Sequence, residues 1–137
     1  MLETAEFAAG QNGRTSASFA ARKAESVSVR ILILEDDPFI ALDLAQIVET
    51  LGHEVVDVCN CIAAARRQVD NRVEFALLDI DVRDGKSFSI ATALEERGIP
   101  FAFVSGSLPE DLPYSLRRAP FITKPFSEAA ILRSLPH

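Results

Sequence analysis

Carboxylates, a hydroxyl and an ammonium recur in this chain at comparable places, each just after a short apolar run. Glu35, Asp36 and Asp37 follow Arg30-Ile-Leu-Ile-Leu34. Asp79 follows Phe75-Ala-Leu-Leu78, with Asp81 two residues on and Asp84-Gly85 shaping a turn. Ser105-Gly106 follows Phe101-Ala-Phe-Val104, and Lys124-Pro125 follows Phe121-Ile-Thr123. Carboxylates gathered within about 5 Å repel by a few kcal/mol per pair at an effective dielectric near 20. A cation among them relieves that repulsion, and hard oxygen donors at a small open site suit magnesium, or manganese in its place. Glu35 and Asp36 would hold such an ion, with the Asp81 backbone carbonyl. Asp79 is the natural nucleophile, because a carboxylate aligned on phosphorus and backed by a metal forms an acyl phosphate. Lys124 offers a mobile point charge to an incoming phosphate, and Ser105 a hydrogen bond.

These groups must be carried to one place by the elements that precede them. Arg30–Leu34 is apolar on both faces and rich in β-branched residues, as a central parallel strand requires. Asp37 and Pro38 supply a helix N-cap and a first-turn proline; Ile40, Leu44, Ile47, Val48 and Leu51 keep helical spacing, and Gly52 stops the helix. The alternation repeats, with strands expected at Glu54 to Val58, Phe75 to Leu78, Phe101 to Val104 and Phe121 to Thr123. Helices are expected at Ile62 to Asn71, at Ser87 to Arg97 with Ile90, Ala91 and Leu94 inward, and after Ser127 with Ile131, Leu132 and Leu135. Pro109 and Pro113 keep any helix between Leu108 and Arg118 short or distorted. Strand–helix repeats of this kind form a doubly wound α/β fold with a five-stranded parallel sheet. Ligands of such sheets bind beyond the carboxyl ends of the strands, where every group named above falls.

The 137 residues suit a single domain, with a flexible N-terminal extension over residues 1–28 and one folded domain over 29–137. That length leaves no room for an output domain of ordinary size, so a stand-alone module is expected, with a monomer favoured. A net charge of −6, from 20 acidic and 14 basic side chains, argues against nucleic-acid binding. No apolar run approaches the ~20 residues of a membrane span, and no signal peptide is evident, so a cytoplasmic protein is expected. Cys59 and Cys61 read as two small semi-buried thiols, too close in sequence to pair readily.

The motifs Ile31-Leu-Ile-Leu-Glu-Asp36, Leu77-Leu-Asp79, Val104-Ser-Gly106 and Thr123-Lys-Pro-Phe126, in this order, resemble the receiver domains of bacterial two-component response regulators. The resemblance covers residues 29–137 and implies a flavodoxin-like receiver fold with strand order 2-1-3-4-5. It implies phosphorylation of Asp79 by a histidine kinase or a histidine phosphotransfer protein. It further implies magnesium binding by Glu35, Asp36, Asp79 and the Asp81 carbonyl, sensing by Ser105 and Lys124, and a switch aromatic at Phe121. The short turn after Asp79 and the short Ser105–Lys124 interval resemble a subgroup of mostly stand-alone receivers with a Pro-Phe-x-Phe-x-Ser/Thr-Gly strand, here Pro100 to Gly106. A shortened fourth helix follows. Phe39, Pro125 and Phe126 border the site and are candidates for docking a histidine phosphodonor, with a possible protein target as output.

Taken singly, each of these residues has an ordinary explanation. Acids before a helix cap it, a lysine on a loop is solvated, Phe121 fits a core, and Phe39 could pack as a helix-start staple. A haloacid-dehalogenase-like aspartyl phosphatase would use Asp79, Asp81, Ser105 and Lys124, but its acidic pair follows the lysine, whereas Glu35 and Asp36 come first. A degenerate receiver acting without phosphorylation would lack an acid or the lysine, and this chain keeps them all.

Overall fold

A computed structural model describes residues 28–136 of the chain. The expected N-terminal extension, up to residue 27, lies outside the described residues. The first strand, β1 (Arg30–Leu34), buries Ile31 through Leu34 completely. Helix α1 (Pro38–Thr50) starts where the Asp37 carboxylate accepts hydrogen bonds from the Phe39 and Ile40 amides at 2.9 and 3.2 Å. It buries Ala41, Leu44, Ile47 and Val48, and ends before Gly52, whose φ of +92° a side chain would resist. Strand β2 (Glu54–Cys59), helix α2 (Ile62–Gln68) and strand β3 (Phe75–Leu78) follow. After β3 the chain makes a small antiparallel hairpin, β4 (Asp81–Val82) with β5 (Gly85–Lys86), where the sequence suggested only a turn. Helix α3 (Phe88–Glu96), strand β6 (Phe101–Ser105), strand β7 (Phe121–Thr123) and helix α4 (Glu128–Ser134) complete the order.

The five long strands form one parallel sheet in the order β2-β1-β3-β6-β7, which is the expected 2-1-3-4-5 arrangement of its strands. Successive side chains on a strand point to opposite faces, so the strands feed two cores. Leu32, Leu34, Ala76, Leu78, Phe101 and Phe103 pack toward α2 and α3. Ile31, Ile33, Leu77, Ala102, Val104 and Ile122 pack toward α1 and α4. Truncating Phe103, which is fully buried, to Ala would cost about 3–5 kcal/mol through lost burial and a residual cavity.

The shortened fourth helix expected between β6 and β7 is reduced to less than an α-helix, in keeping with Pro109 and Pro113. Two 3₁₀ turns, Pro109–Asp111 and Tyr114–Leu116, stand in its place, each beginning at or just after a proline that supplies no N–H for a longer ladder. Leu132, on the expected last helix with Ile131 and Leu135, is 43% exposed. Ile131 and Leu135, four residues apart, form the inward stripe, and Leu132 lies one step around the helix from it.

Candidate functional site

Because all five strands run parallel, their carboxyl ends share one edge of the sheet, and the chain delivers Glu35, Asp79, Ser105 and Lys124 there. The Asp79 amide donates to the Leu34 carbonyl (2.8 Å) and the Lys124 amide to the Ser105 carbonyl (2.9 Å), which sets these ends in register. Oxygen atoms of Glu35, Asp36 and Asp79 all lie within 4.8 Å of one another. Glu35, Asp79 and Ser105 are buried, and Asp36 is half-buried. The Lys124 ammonium reaches in from β7 and donates to Glu35 Oε1 at 2.6 Å and to Asp79 Oδ2 at 3.3 Å. The remaining acceptors are occupied in part by backbone. Asp79 Oδ1 accepts from the Ile80 amide at 2.8 Å, and Glu35 Oε2 from the Asp37 amide at 3.0 Å.

Electrostatics separates the two partners of the central ion pair. Burial pushes the Glu35 carboxyl above its ordinary value, against the Lys124 and Asp37 hydrogen bonds, and the Asp79 charge adds to the rise. Burial pulls on Lys124 in the opposite sense, but the Glu35 hydrogen bond and the charges of Asp79 and Glu35 prevail and raise it. One ammonium thus serves two carboxylates and leaves a third, Asp36, without a cation within the cluster. Three hard oxygen donors with a surplus negative charge could hold a divalent metal ion, and the arrangement fits magnesium by donor type.

Asp81 lies outside this cluster by its side chain. Its carboxylate is exposed, pairs with Lys86 across the hairpin and accepts from the Ser107 hydroxyl at 3.2 Å, so its side chain takes no part in the cluster. Ser105 Oγ accepts from the Ser107 amide at 3.2 Å, which leaves its own O–H to donate. Phe121 is half-buried and packs at a tilt against Phe103, their ring centroids 6.4 Å apart. Phe39 is 82% exposed and does not act as a helix-start staple. Phe126 packs on the core of the α1 side, while Pro125 is exposed. Beside the acids a groove of about 430 Å³ opens between α1 and the β2 end, lined by Glu35, Asp36, Leu42, Val58 and Arg83. A larger cavity, about 810 Å³, lies at the opposite end of the strands by Phe75, Phe101 and Pro120, away from the acids.

Over 114 residues the chain is 33% identical to the phyllosphere-induced regulator PhyR of Methylorubrum extorquens, which accounts for 79% of this chain and 42% of that protein. Among solved structures it resembles SdrG from Sphingomonas melonis Fr1, with 32% identity, a TM-score of 0.70, and 79% of this chain and 93% of that one covered. The chain belongs to the response-regulator receiver domains. A structure of the BeF3-activated conformation of SdrG matches at 34% identity and a TM-score of 0.65, covering 76% of this chain and 90% of that one. The receiver also resembles the REC domain of the response regulator PhyR from Erythrobacter litoralis, at 25% identity and a TM-score of 0.71, over 80% of this chain and 88% of that one. No family model matches the chain. The receiver spans less than half the length of the M. extorquens regulator. As a receiver domain it is not a conventional enzyme, which removes the aspartyl-phosphatase alternative. Among the described residues no helix is long and apolar enough to cross a membrane.

Sequence reasoning missed two features of the site. The Asp84 carboxylate is bonded to α2, and the Ser87 hydroxyl beneath the hairpin is fully buried without a hydrogen-bond partner. Neither has a local signal, since one depends on a residue 22 positions away and the other on packing.

Proposed function

We propose that this receiver is a single-domain response regulator that accepts a phosphoryl group on Asp79 from a histidine kinase or a histidine phosphotransfer protein. The observation that carries the reading is the convergence of Glu35, Asp36, Asp79 and Lys124 within hydrogen-bonding or metal-sharing distance at one sheet edge. The SdrG likeness, covering nearly all of that chain, supports a one-domain regulator, and a BeF3-activated conformation of SdrG supports activation by a phosphoryl-like group.

In the reaction an Asp79 carboxylate oxygen attacks phosphorus in line, the phosphorus–nitrogen bond of the donor phosphohistidine breaks, and the departing imidazole nitrogen takes up a proton. Glu35, Asp36, Asp79 and the Asp81 carbonyl would hold Mg2+ or Mn2+. When bound, such an ion neutralises charge on the transferring phosphoryl group. Lys124 then exchanges part of its bond to Glu35 for a phosphoryl oxygen, and Ser105 donates its hydroxyl proton to another. Both movements draw on the loop after β6, and Phe121 turns inward against Phe103 as that loop shifts. This is a biased equilibrium between two packings of the same residues. Phe39, in the first turn of α1, and Pro125 and Phe126, directly after Lys124, receive the donor. Output passes to a protein target, or the receiver competes for phosphoryl groups as a sink.

The test is incubation of the chain with a small phosphodonor and Mg2+, read by intact-protein mass. A gain of one phosphoryl group that requires the divalent ion supports the reading, and an unchanged mass favours a receiver that acts through binding alone.

A further inference from the structure

Helix α2 lacks a cap of its own. Cys61 occupies its N-cap position with extended backbone (φ −153°, ψ 163°) but makes no side-chain cap hydrogen bond. The missing acceptor comes from the tip of the β4–β5 hairpin. Asp84 Oδ1 accepts from the Ile62 amide at 2.6 Å and Oδ2 from the Ala63 amide at 3.2 Å. These two bonds hold the Asp84 carboxyl below its ordinary range. Next to it Gly85 adopts φ +136°, a backbone that favours glycine, and lies close to the Ile62 side chain.

The same hairpin is fixed at its base. The Ser87 amide donates to the Ile80 carbonyl at 2.9 Å, Asp81 pairs with Lys86 across the ladder, and the Ile80 amide holds Asp79 Oδ1. The segment from Asp79 to Ser87 is therefore pinned at the phosphoacceptor end and at its tip. Between those pins lies Asp81.

We infer that Asp84 is a positioning residue: by gripping the first amides of α2 it fixes the hairpin that aims the Asp81 carbonyl at the cation held by Glu35, Asp36 and Asp79. The inference rests on the metal reading proposed above, and its test separates the two. Groups that orient a ligand without touching the metal commonly affect its affinity by tenfold or more. Asp84 acts one step further out, so Asp84→Ala should weaken Mg2+ binding roughly fivefold, just below that scale.

A plain loss of helix stability is distinguished by giving α2 a local cap. Serine is favoured at N-cap positions, so Cys61→Ser in the Asp84→Ala background restores the helix end without restoring the tether. The full chain is compared as wild type, Asp84→Ala, Asp84→Asn and the Cys61→Ser/Asp84→Ala double variant. Mg2+ affinity is measured by calorimetry, and amide exchange at residues 80–87 in metal-free buffer. The expected result is faster hairpin exchange and weaker Mg2+ binding in Asp84→Ala, partial rescue by Asp84→Asn, and a double variant that regains thermal stability while its hairpin still exchanges fast. Wild-type exchange in Asp84→Ala, or hairpin exchange and Mg2+ affinity that both return with the new cap, would overturn the tether. Wild-type protein that binds no Mg2+ overturns the metal reading, while the metal-free exchange still decides whether Asp84 holds the hairpin.

Discussion

Removing the charge of Asp79 while keeping its shape should make the metal-free receiver more stable. Asp79→Asn retains an oxygen for the Ile80 amide, loses the negative charge, and places an NH2 group where the oxygen accepting from Lys124 stood. The oxygens of Glu35, Asp36 and Asp79 lie within 4.8 Å of one another, so each pair repels by about 3 kcal/mol at an effective dielectric near 20. Neutralising Asp79 removes two such repulsions, about 6 kcal/mol. It also removes the attraction to Lys124 at 3.3 Å, about 5 kcal/mol at the same dielectric. Relief of the buried charge from desolvation acts in the same direction as the difference, so the net gain is about 1–2 kcal/mol. In a domain of this size that raises the melting temperature by roughly 5 °C. Mg2+ at ten times its dissociation constant should add about 1.4 kcal/mol to wild type and much less to the variant. Thermal unfolding followed by circular dichroism, with chelator and then with Mg2+, measures both. The reasoning fails if the variant melts below wild type in chelator, or if Mg2+ stabilises the two equally.

Lys124→Ala leaves Glu35, whose side chain is 1% exposed, without its ammonium and should cost roughly 3 kcal/mol at pH 7. Since burial already raises the Glu35 carboxyl, its charge is a cost above that value and vanishes as falling pH protonates it; urea unfolding should show the deficit shrinking between pH 7 and pH 5, and an equal deficit at both contradicts the assignment. Ser87→Ala removes a buried hydroxyl with no hydrogen-bond partner and should stabilise by about 1 kcal/mol in chemical denaturation, where a loss of stability would reveal a partner. The Cys59 thiol is pushed up to about 12 by burial and the Asp57 charge, so at neutral pH a thiol reagent should label Cys61 well before Cys59; simultaneous labelling would show β2 opening. Phe39→Ala should leave the melting temperature nearly unchanged but slow phosphotransfer from a histidine phosphotransfer protein several-fold, and an unaltered transfer rate removes Phe39 from the docking surface.

The strands were legible because their signal is local. Ile31–Leu34 and Phe75–Leu78 are short runs apolar on both faces, as a strand between two helical layers requires. Asp37-Pro38 and Gly52 marked the ends of α1 by side-chain and backbone chemistry that no distant residue alters. The position of each acid at a strand end was therefore readable, and the parallel topology then brought them together. Other features depend on partners far away in sequence. Two strands of two residues have no period to detect, so β4 and β5 looked like a turn. Leu132 sits beside an inward stripe of Ile131 and Leu135, and three apolar residues in one short helix do not say which of them faces out. Phe39 satisfied a staple pattern locally, yet the residue is 82% exposed. The hydrogen bond from Lys124 to Glu35 joins residues 89 positions apart, so no local pattern announces it.

Reductive trapping identifies the phosphoacceptor residue. An aspartyl phosphate is an acyl phosphate, and borohydride reduces its carbonyl carbon to an alcohol, which turns the residue into homoserine. After exposure to a small phosphodonor and Mg2+, a peptide map should show homoserine at residue 79 alone. Conversion of Glu35, Asp36 or Asp81 instead, or of no carboxylate in a protein that has gained phosphate, would contradict the account.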